Sequence, residues 1–135
     1  MVEYLLDTNH ASRLMSQDRR VLSHVRQAET SGDTLGVSMT VVGELYFAVH
    51  ASRRHVQNLQ RLQQLLATLH IYPFEQADAE EFGRIQAEQK AKGRPIPPLD
   101  AQIAAVARRR GLTVLTADKH FGYVDGIPTQ NWLDE

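Results

Sequence analysis

Four acidic side chains stand at points where apolar segments of the sequence begin, end or are interrupted. They are Asp7, Glu44, Asp100 and Asp118. Glu44 is the only charged residue between Val41 and Val49, and a carboxylate in so apolar a stretch costs free energy unless something pairs with it. Four carboxylates that come together can hold a divalent cation, so these residues are the first candidates for chemistry.

Each acid also has a structural explanation when it is taken alone. Asp7 could cap the helix that follows it, and Asp118 could be an ordinary turn residue. Asp100 could complement the dipole at the start of a helix. Glu44 has the weakest explanation of this kind, and four such coincidences together are less expected than any one. The sequence therefore favours one shared site.

Mutual repulsion among the four carboxylates constrains what their site can contain. Two unit charges 4 Å apart repel by about 4 kcal/mol at an effective dielectric of 20. A site tolerates this if a divalent cation lies among the acids or if some of them are protonated. Because the donors are oxygen atoms and the chain has no cysteine, the expected ion is Mg²⁺ or Mn²⁺. Such an ion activates water and offsets charge on a phosphate, which fits phosphodiester hydrolysis.

Apolar patterning predicts the strands and helices that would position the acids. Short apolar runs predict strands at 2–6, 35–38, 71–74 and 113–115, with a weak last strand at 128–130. Helical spacing predicts helices at 9–16, 19–31, 40–52, 54–69, 77–92 and 98–111. Thr40 is the predicted cap of the third helix, and the segment from Gly93 to Pro98 is the clearest loop.

The alternation of strands and helices predicts an α/β fold with a central, mostly parallel, twisted sheet of four or five short strands flanked by helices. Ligands of such sheets bind beyond the carboxyl ends of the strands. Asp7, Glu44 and Asp118 are expected near that edge. Asp100 joins them only if its helix begins there, which a parallel crossover alone does not guarantee.

Length and composition set the remaining bounds. A chain of 135 residues with 42% hydrophobic residues predicts one folded domain over 1–135. The absence of cysteine excludes disulfides, thiolate metal sites and cysteine nucleophiles. The first residues lack the pattern of a secretory signal, and no apolar run approaches the ~18 residues needed to span a bilayer, so a cytoplasmic protein is expected.

Charge clusters other than the quartet of Asp7, Glu44, Asp100 and Asp118 are interpreted as solvated helix faces. The acids at Glu75, Asp78, Glu80 and Glu81 form one such cluster. Another comprises Arg108 to Arg110, which end a predicted helix where cations suit the dipole.

The chain resembles the PIN-domain ribonucleases and, among them, the VapC-type toxins of toxin–antitoxin pairs. The resemblance covers nearly the whole chain, and its short segments are quite specific when they occur together and in this order. They are Leu-Leu-Asp-Thr-Asn at 5–9, Thr-Val-Val-Gly-Glu-Leu-Tyr-Phe at 40–47, Pro-Ile-Pro-Pro-Leu-Asp-Ala-Gln-Ile-Ala-Ala at 95–105, Gly-Leu-Thr-Val-Leu-Thr-Ala-Asp-Lys-His-Phe at 111–121 and Asn-Trp at 131–132.

The resemblance implies a PIN-like three-layer sandwich in which the four acids bind one or two metal ions. By position, Asp7 and Asp100 would be direct Mg²⁺ ligands, while Glu44 and Asp118 would act through water or hold a second ion. Thr116 matches a hydroxyl position that often supports the ligands. Many relatives have Asn where Asp118 stands, so this chain keeps the full acidic quartet.

The resemblance also implies a metal-dependent endoribonuclease that cleaves structured RNA (tRNA or rRNA) and inhibits translation. Homodimerisation and inhibition by a VapB-like antitoxin follow from the same likeness. In such pairs the antitoxin's C-terminal segment often pushes a basic side chain into the acidic site, where a cation replaces the metal.

A basic rim would let RNA approach an acidic pocket, which suits a chain whose net charge is only −1. Charge reversal at Lys119 and Arg94 should therefore weaken RNA binding. The candidate rim residues, taken from charge clustering, are Arg13, Arg19, Arg20, Arg94, Lys119 and His120.

Histidines and aromatic residues are weighed separately. The six histidines lack the His-Glu-x-x-His arrangement of zinc proteases, so most are expected to be packing or surface residues. His10 and His120 flank the acids and could touch phosphate. Tyr46 and Phe47 are expected in the core or at a dimer contact. The leucines between 56 and 69 are expected in the core, although relatives use nearby helices to bind antitoxin.

Several other functions compete with this one. An aspartyl phosphatase would need a second Asp two residues after Asp7, where the chain has Asn9. A receiver domain would need an acidic pair near the first strand, and that pair is missing. A solitary RNA-processing PIN nuclease and a catalytically silent PIN-like interaction module both remain open, although the intact quartet argues against the second.

Overall fold

The computed structural model describes residues 1–134, which form a parallel sheet and the helices that connect its strands. The strands are β1 (Glu3–Leu6), β2 (Thr34–Ser38), β3 (His70–Tyr72), β4 (Thr113–Leu115) and β5 (Thr129–Gln130). The α-helices are α1 (Thr8–Met15), α2 (Arg19–Thr30), α3 (Met39–His50), α4 (His55–Leu66), α5 (Gln76–Lys92) and α6 (Pro98–Arg110). A 3-10 helix spans Lys119–Tyr123.

The five strands lie in the order β3-β2-β1-β4-β5, and every neighbouring pair is parallel. In the centre, Leu5 of β1 pairs with Gly36 of β2 on one side and with Val114 of β4 on the other. Because crossovers cover the sheet, the central strands are apolar and buried, as are most residues of α6 from Ala101 to Ala107. The predicted α/β layered fold is confirmed.

The strand order creates a crevice between β1 and β4. From β1 the chain moves outward to β2 and β3, then returns across the sheet and adds β4 on the opposite side of β1. The connections on the two sides of β1 therefore leave in opposite directions, and ligands of open α/β sheets bind where this happens, beyond the carboxyl ends of the strands. Asp7 directly follows β1 at this crevice.

Two predicted element boundaries are wrong for identifiable reasons. Ser38, not Thr40, caps α3, because its hydroxyl accepts a hydrogen bond from the Val41 amide. The Thr40 hydroxyl instead donates to Gln102 on α6. The third strand runs over His70–Tyr72 and ends before Pro73, which has no amide hydrogen for a sheet ladder.

The 3-10 helix after β4 was not predicted from the sequence. It begins behind Asp118, whose carboxylate accepts a hydrogen bond from the His120 amide. A five-residue turn of this kind is too short to show helical periodicity. Its importance lies in placing Asp118 and His120 on the same side of the crevice.

The leucine-rich face of α4 is less buried than predicted. Leu62 is fully buried, but Leu59, Leu66 and Leu69 are only partly covered, and Val56 at the start of the helix is 64% exposed. The face therefore covers the edge of the core, and Leu65 and Leu69 also line a surface groove. Within residues 1–134, no helix has the length and apolar character needed to cross a bilayer.

Candidate metal centre

The structure brings the four predicted acids into one open cleft at the crevice between β1 and β4. Asp100 belongs to it because α6 begins at this edge of the sheet, which was the uncertain step from sequence. The residues lining the cleft are Asp7, Thr8, Asn9, Glu44, Asp100, Ile103, Ala117 and Asp118. Among these lining residues of the described chain there is no lysine or arginine.

Asp7 is a buried carboxylate that uses one of its two oxygens, Oδ1, in a structural role. Its Oδ1 atom accepts a hydrogen bond of 2.8 Å from the His10 amide, so it does cap α1 as the structural explanation supposed. The same oxygen lies 3.1 Å from His10 Nδ1. His10 is fully buried, and the alternative in which it touches a phosphate is therefore wrong.

Glu44 lies in the second turn of α3 and reaches the cleft across from α1. The Thr8 hydroxyl donates a 2.6 Å hydrogen bond to Glu44 Oε1. One neutral hydroxyl does not balance a carboxylate in an otherwise apolar helix. Glu44 is thus oriented by α1 but retains its need for a cation.

Asp118 is held by the turn that follows β4. Its amide donates to the buried Thr116 hydroxyl at 2.9 Å, and its Oδ1 accepts from the His120 amide at 2.9 Å. Thr116 therefore fixes the backbone that carries an acid, which is compatible with the supporting position suggested by the sequence.

Asp100 is the acid whose ionisation is most affected by its surroundings. Burial raises the pKa of Asp100, and the negative charges of Asp118 and Asp7 raise it further. His120 acts in the opposite direction, since its Nδ1 lies 3.4 Å from Asp100 Oδ2. A raised carboxyl pKa is the expected signature of acids that face one another without sufficient positive charge.

The donor set fits a divalent cation. One donor atom each of Asp100, Asp118 and His120 can be chosen so that all three lie within 4.8 Å of one another. Oxygen donors suit Mg²⁺ and Mn²⁺, and the cleft concentrates negative charge that such an ion would offset. The sequence marked His120 as a rim candidate and as a possible phosphate contact, not as a metal ligand. Its spacing two residues after Asp118 in a short turn is the signal that could have placed it here.

The other rim candidates take different positions. Arg94 lies 5.1 Å from the ring centre of Tyr123, and Tyr123 contacts the His120 ring edge-on. Lys119 is exposed beside Asp118. The remaining candidates lie on α1 and α2: Arg13 is exposed near Asp18, Arg19 is exposed, and Arg20 donates to Asp18 and to the Leu133 carbonyl.

Sequence comparisons identify a family and named relatives. The PIN domain profile matches residues 4–127. Ribonuclease VapC2 from Haemophilus influenzae is 31% identical over 98% of this chain and 100% of its own length. The tRNA(fMet)-specific endonuclease VapC from Shigella flexneri is 27% identical over 98% of this chain and 99% of its own.

Structure comparison finds the same fold in a solved complex. The crystal structure of DNA-bound VapBC from Salmonella typhimurium contains a chain that superposes with a TM-score of 0.88. That chain is 25% identical, and the match covers 98% of this chain and 99% of that one. The likeness therefore extends over the whole domain and not only over the cleft.

Proposed function

The chain belongs to the PIN-domain family and, within it, to the VapC ribonucleases, and from this membership we propose that it is the toxin of a VapBC-type toxin–antitoxin pair. As such it is a divalent-metal-dependent endoribonuclease that hydrolyses phosphodiester bonds in structured RNA and thereby inhibits translation in the cytoplasm. The observation that carries the proposal is the convergence of Asp7, Glu44, Asp100 and Asp118 in one cleft without a lysine or arginine among its described lining residues.

Mg²⁺ or Mn²⁺ is the cation that this cleft would hold. Asp7 and Asp100 are the proposed direct ligands, with Glu44 and Asp118 binding through water or holding a second ion. When bound, such an ion lowers the pKa of a water molecule and offsets charge that develops on the scissile phosphate. The protein's own contribution is to hold the acids in place, through Thr8 on Glu44 and through Thr116 on the Asp118 backbone.

An RNA substrate is supported by the chemistry of the site and by the relatives. Their names specify a ribonuclease and a tRNA(fMet)-specific endonuclease. A phosphodiester must approach an acidic cleft, so basic residues around it are needed for binding. Arg13, Arg94, Lys119 and His120 are the proposed rim, and we assign the substrate class as tRNA or rRNA.

A VapB-like antitoxin is the proposed partner. A groove between α1, α2 and α4 offers an apolar floor that an amphipathic segment could cover. Its apolar lining residues are Leu14, Met15, Leu22, Val25, Leu35, Leu65 and Leu69. The acidic cleft in turn suits a basic side chain of the antitoxin, which would replace the metal. A small neighbouring open reading frame with a DNA-binding N-terminal region would support this pairing.

A homodimer is proposed from an exposed apolar strip on α3. Met39 and Phe47 are 48% and 76% exposed, and exposed Gly43 lies midway between them at the four-residue spacing of one helix face. Two exposed apolar side chains on one helix face, with only a glycine between them, favour contact with another surface. A second copy of the chain is the occupant we propose.

Expression of the chain alone, compared with Asp7→Asn, tests the catalytic proposal. Growth arrest and RNA cleavage are scored with and without Mg²⁺ or Mn²⁺. We expect the parent to arrest growth and to cleave RNA only with metal, and Asp7→Asn to do neither. Glu80→Gln, which neutralises an exposed acid on α5, is the matched control and should behave like the parent. Equal behaviour of Asp7→Asn and the parent would remove the quartet from catalysis.

A further inference from the structure

The turn after β4 places an imidazole against two of the four carboxylates. His120 Nδ1 lies 3.0 Å from Asp118 Oδ1 and 3.4 Å from Asp100 Oδ2. Two ligand atoms that each lie about 2.1 Å from an ion at right angles are about 3 Å apart. His120 Nδ1 therefore lies at about donor spacing from an oxygen of each acid.

The nitrogen of His120 that faces the acids lacks a hydrogen-bond partner. About 39% of the side chain is exposed, yet Nδ1 itself is shielded from solvent and makes no properly directed hydrogen bond. Its two carboxylate neighbours are at ion-pair distance, but neither is aligned for a hydrogen bond. A shielded polar atom without a well-directed hydrogen bond costs free energy, and an ion among the three groups can satisfy it. The ring is held in this position by edge-on contact with Tyr123, over which Arg94 lies.

We propose that His120 Nδ1 is a metal ligand beside Asp100 and Asp118, and that it makes the cleft select Mn²⁺ over Mg²⁺. Mg²⁺ is a hard ion that takes oxygen ligands, whereas imidazole suits first-row transition ions. The inference rests on the proposed function only in requiring a cation among the acids. It concerns which ion binds, not which RNA is cut.

Metal-stripped protein, titrated separately with Mn²⁺ and with Mg²⁺ in a calorimeter, tests the selectivity. We expect the wild type to bind Mn²⁺ at least tenfold more tightly than Mg²⁺. In His120→Ala, Mn²⁺ affinity should fall at least tenfold while Mg²⁺ affinity changes less than about threefold. His55→Ala, which removes an exposed histidine at the start of α4, is the control and should leave both affinities unchanged.

Pulsed electron paramagnetic resonance of the Mn²⁺-loaded wild type gives a readout that needs neither activity nor a variant. Coordination by Nδ1 predicts a directly bound ¹⁴N coupling, which changes to a ¹⁵N coupling in protein labelled with ¹⁵N-histidine. Loss of the coupling in His120→Ala assigns the nitrogen. If His120 is instead a cation that pairs with the acids, the coupling is absent and His120→Ala binds both ions more tightly, which overturns the proposal.

The failure of this inference is distinguishable from failure of the proposed function. If the wild type cleaves RNA with metal but shows no nitrogen coupling, the proposed function stands and His120 is not a metal ligand. If the coupling is present but the protein cleaves no RNA, His120 is a metal ligand and the proposed function is wrong. Equal loss of Mn²⁺ and Mg²⁺ binding in His120→Ala also contradicts selectivity, because it reports a general disturbance of the cleft.

A second, independent observation concerns the buried histidine behind Asp7. The Trp132 amide donates a hydrogen bond to His10 Nε2 at 3.1 Å, so the hydrogen-bond network assigns the ring proton to Nδ1. Nδ1 then donates to Asp7 Oδ1, which also accepts from the His10 amide. Two donors thus occupy Oδ1, and Oδ2 is the oxygen left for a cation.

We infer that His10 is a positioning residue that orients Asp7 and connects it to the C-terminal segment. Trp132 is buried, packs edge-on against Tyr4 and stacks on His24, so its amide is a fixed donor. Groups that orient a metal ligand commonly affect metal affinity 10–100-fold when they are removed. His10 would act through Asp7 and would not contact RNA.

Comparison of His10→Phe with His10→Asn separates orientation from packing. Phe fills the space without a donor, whereas Asn retains one near the Nδ1 position. We expect Mn²⁺ affinity and kcat to fall about 10–100-fold in the Phe variant, with KM unchanged and a substantial part of both restored by Asn. Trp132→Phe, which keeps the amide donor and an aromatic ring, should retain metal affinity.

The His10 inference fails if the Phe variant folds and binds Mn²⁺ like the wild type. It also fails if the Phe and Asn variants lose affinity equally, because that would report packing and not orientation. If the Phe variant does not fold, His10→Leu, which also lacks a donor, replaces it in the comparison with Asn, and the same two outcomes contradict the inference.

Discussion

Two groups of four acids lie near opposite ends of α6, and they differ in whether positive charge surrounds them. The cleft holds Asp7, Glu44, Asp100 and Asp118, whereas the seam between α5 and α6 holds Glu75, Asp78, Glu81 and Glu88. Each seam acid has an arginine partner on α6. The pairs are Glu75 with Arg110, Asp78 with Arg109, and both Glu81 and Glu88 with Arg108.

The pKa directions express the same difference. Burial is the largest single influence and raises the pKa of Asp78, but the hydrogen bonds from Arg109 and the Glu75 amide and the charges of Arg109 and Arg110 together outweigh it and hold that pKa below its usual value. The Arg108 guanidinium likewise lowers the pKa of Glu88. In the cleft, burial and neighbouring acids raise the pKa of Asp100. Acids that stabilise the fold are neutralised within the chain, while the cleft leaves its acids for a ligand.

Replacing one Asp by Asn in each region should give the largest difference between them, in activity for the cleft and in stability for the seam. Asp100→Asn should lower kcat for RNA cleavage about 10³-fold, since loss of a metal ligand removes several kcal/mol of transition-state stabilisation, and should leave the fold intact. Asp78→Asn should keep the activity of the folded protein but lower the free energy of unfolding by about 2 kcal/mol, because a buried charge-assisted hydrogen bond is lost. Cleavage kinetics and urea unfolding measure the two effects. A stability loss in Asp100→Asn as large as that in Asp78→Asn would erase the distinction.

The cleft acids could be predicted because each one violates the local pattern of an apolar element. Asp7 ends a strand, Glu44 interrupts a helix, and both anomalies are visible within ten residues. Convergence of Asp100 was less secure, since it depends on where α6 begins against the sheet. The strand alternation that predicted the sheet rests on the same local patterns.

The seam pairs could not be assigned because they join residues far apart in sequence. Asp78 and Arg109 are separated by 31 positions, and their contact depends on how α5 packs on α6. The acids at 75, 78 and 81 recur at three-residue spacing, which marks a helix face but not its partner. Arg108 to Arg110 do end α6 as predicted, but the interpretation of them as solvated is wrong, because each is paired with an acid of the seam. The role of His10 in orienting Asp7 could not be assigned for the same reason, because its partner Trp132 lies 122 positions away.

Metal binding should stabilise the protein through the cleft and not through the seam. At a Mn²⁺ concentration 100 times the dissociation constant, the wild type should gain about 2.7 kcal/mol of unfolding free energy. Asp78→Asn is less stable without metal, but its unfolding free energy should rise by the same amount when Mn²⁺ binds. The unfolding free energy of Asp100→Asn should rise little. Thermal unfolding with and without Mn²⁺ measures the shift. An equal shift in all three proteins would mean that the ion binds elsewhere.

Arg108→Met should destabilise the seam without changing the cleft. The substitution leaves Glu81 and Glu88 without their shared guanidinium, and we expect a loss of about 2 kcal/mol in unfolding free energy. Arg26→Met, on the exposed side of α2, is the matched control and should change stability by less than about 0.5 kcal/mol. Urea denaturation measures both. If the two variants are equally stable, the seam pairs contribute no more than surface charges do.

The pH dependence of stability without metal should have opposite signs in the two regions. The lowered pKa of Glu81 contributes stability that is complete above the unfolded value of 4.5 and is lost as the pH falls through the lower folded pKa. The raised pKa of Asp100 has the reverse effect, since the native state retains its proton longer and stability falls as the pH rises from the unfolded value of 3.8 towards the folded one. Asp100→Asn should therefore steepen the rise in unfolding free energy with pH, and Glu81→Gln should flatten it. Each change should be under about 1 kcal/mol, because both groups are partly screened by solvent. Urea unfolding between pH 3.5 and 7, with a chelator present, measures the slope of the unfolding free energy against pH for each variant. If both substitutions change that slope in the same direction, the cleft acids are neutralised within the chain after all.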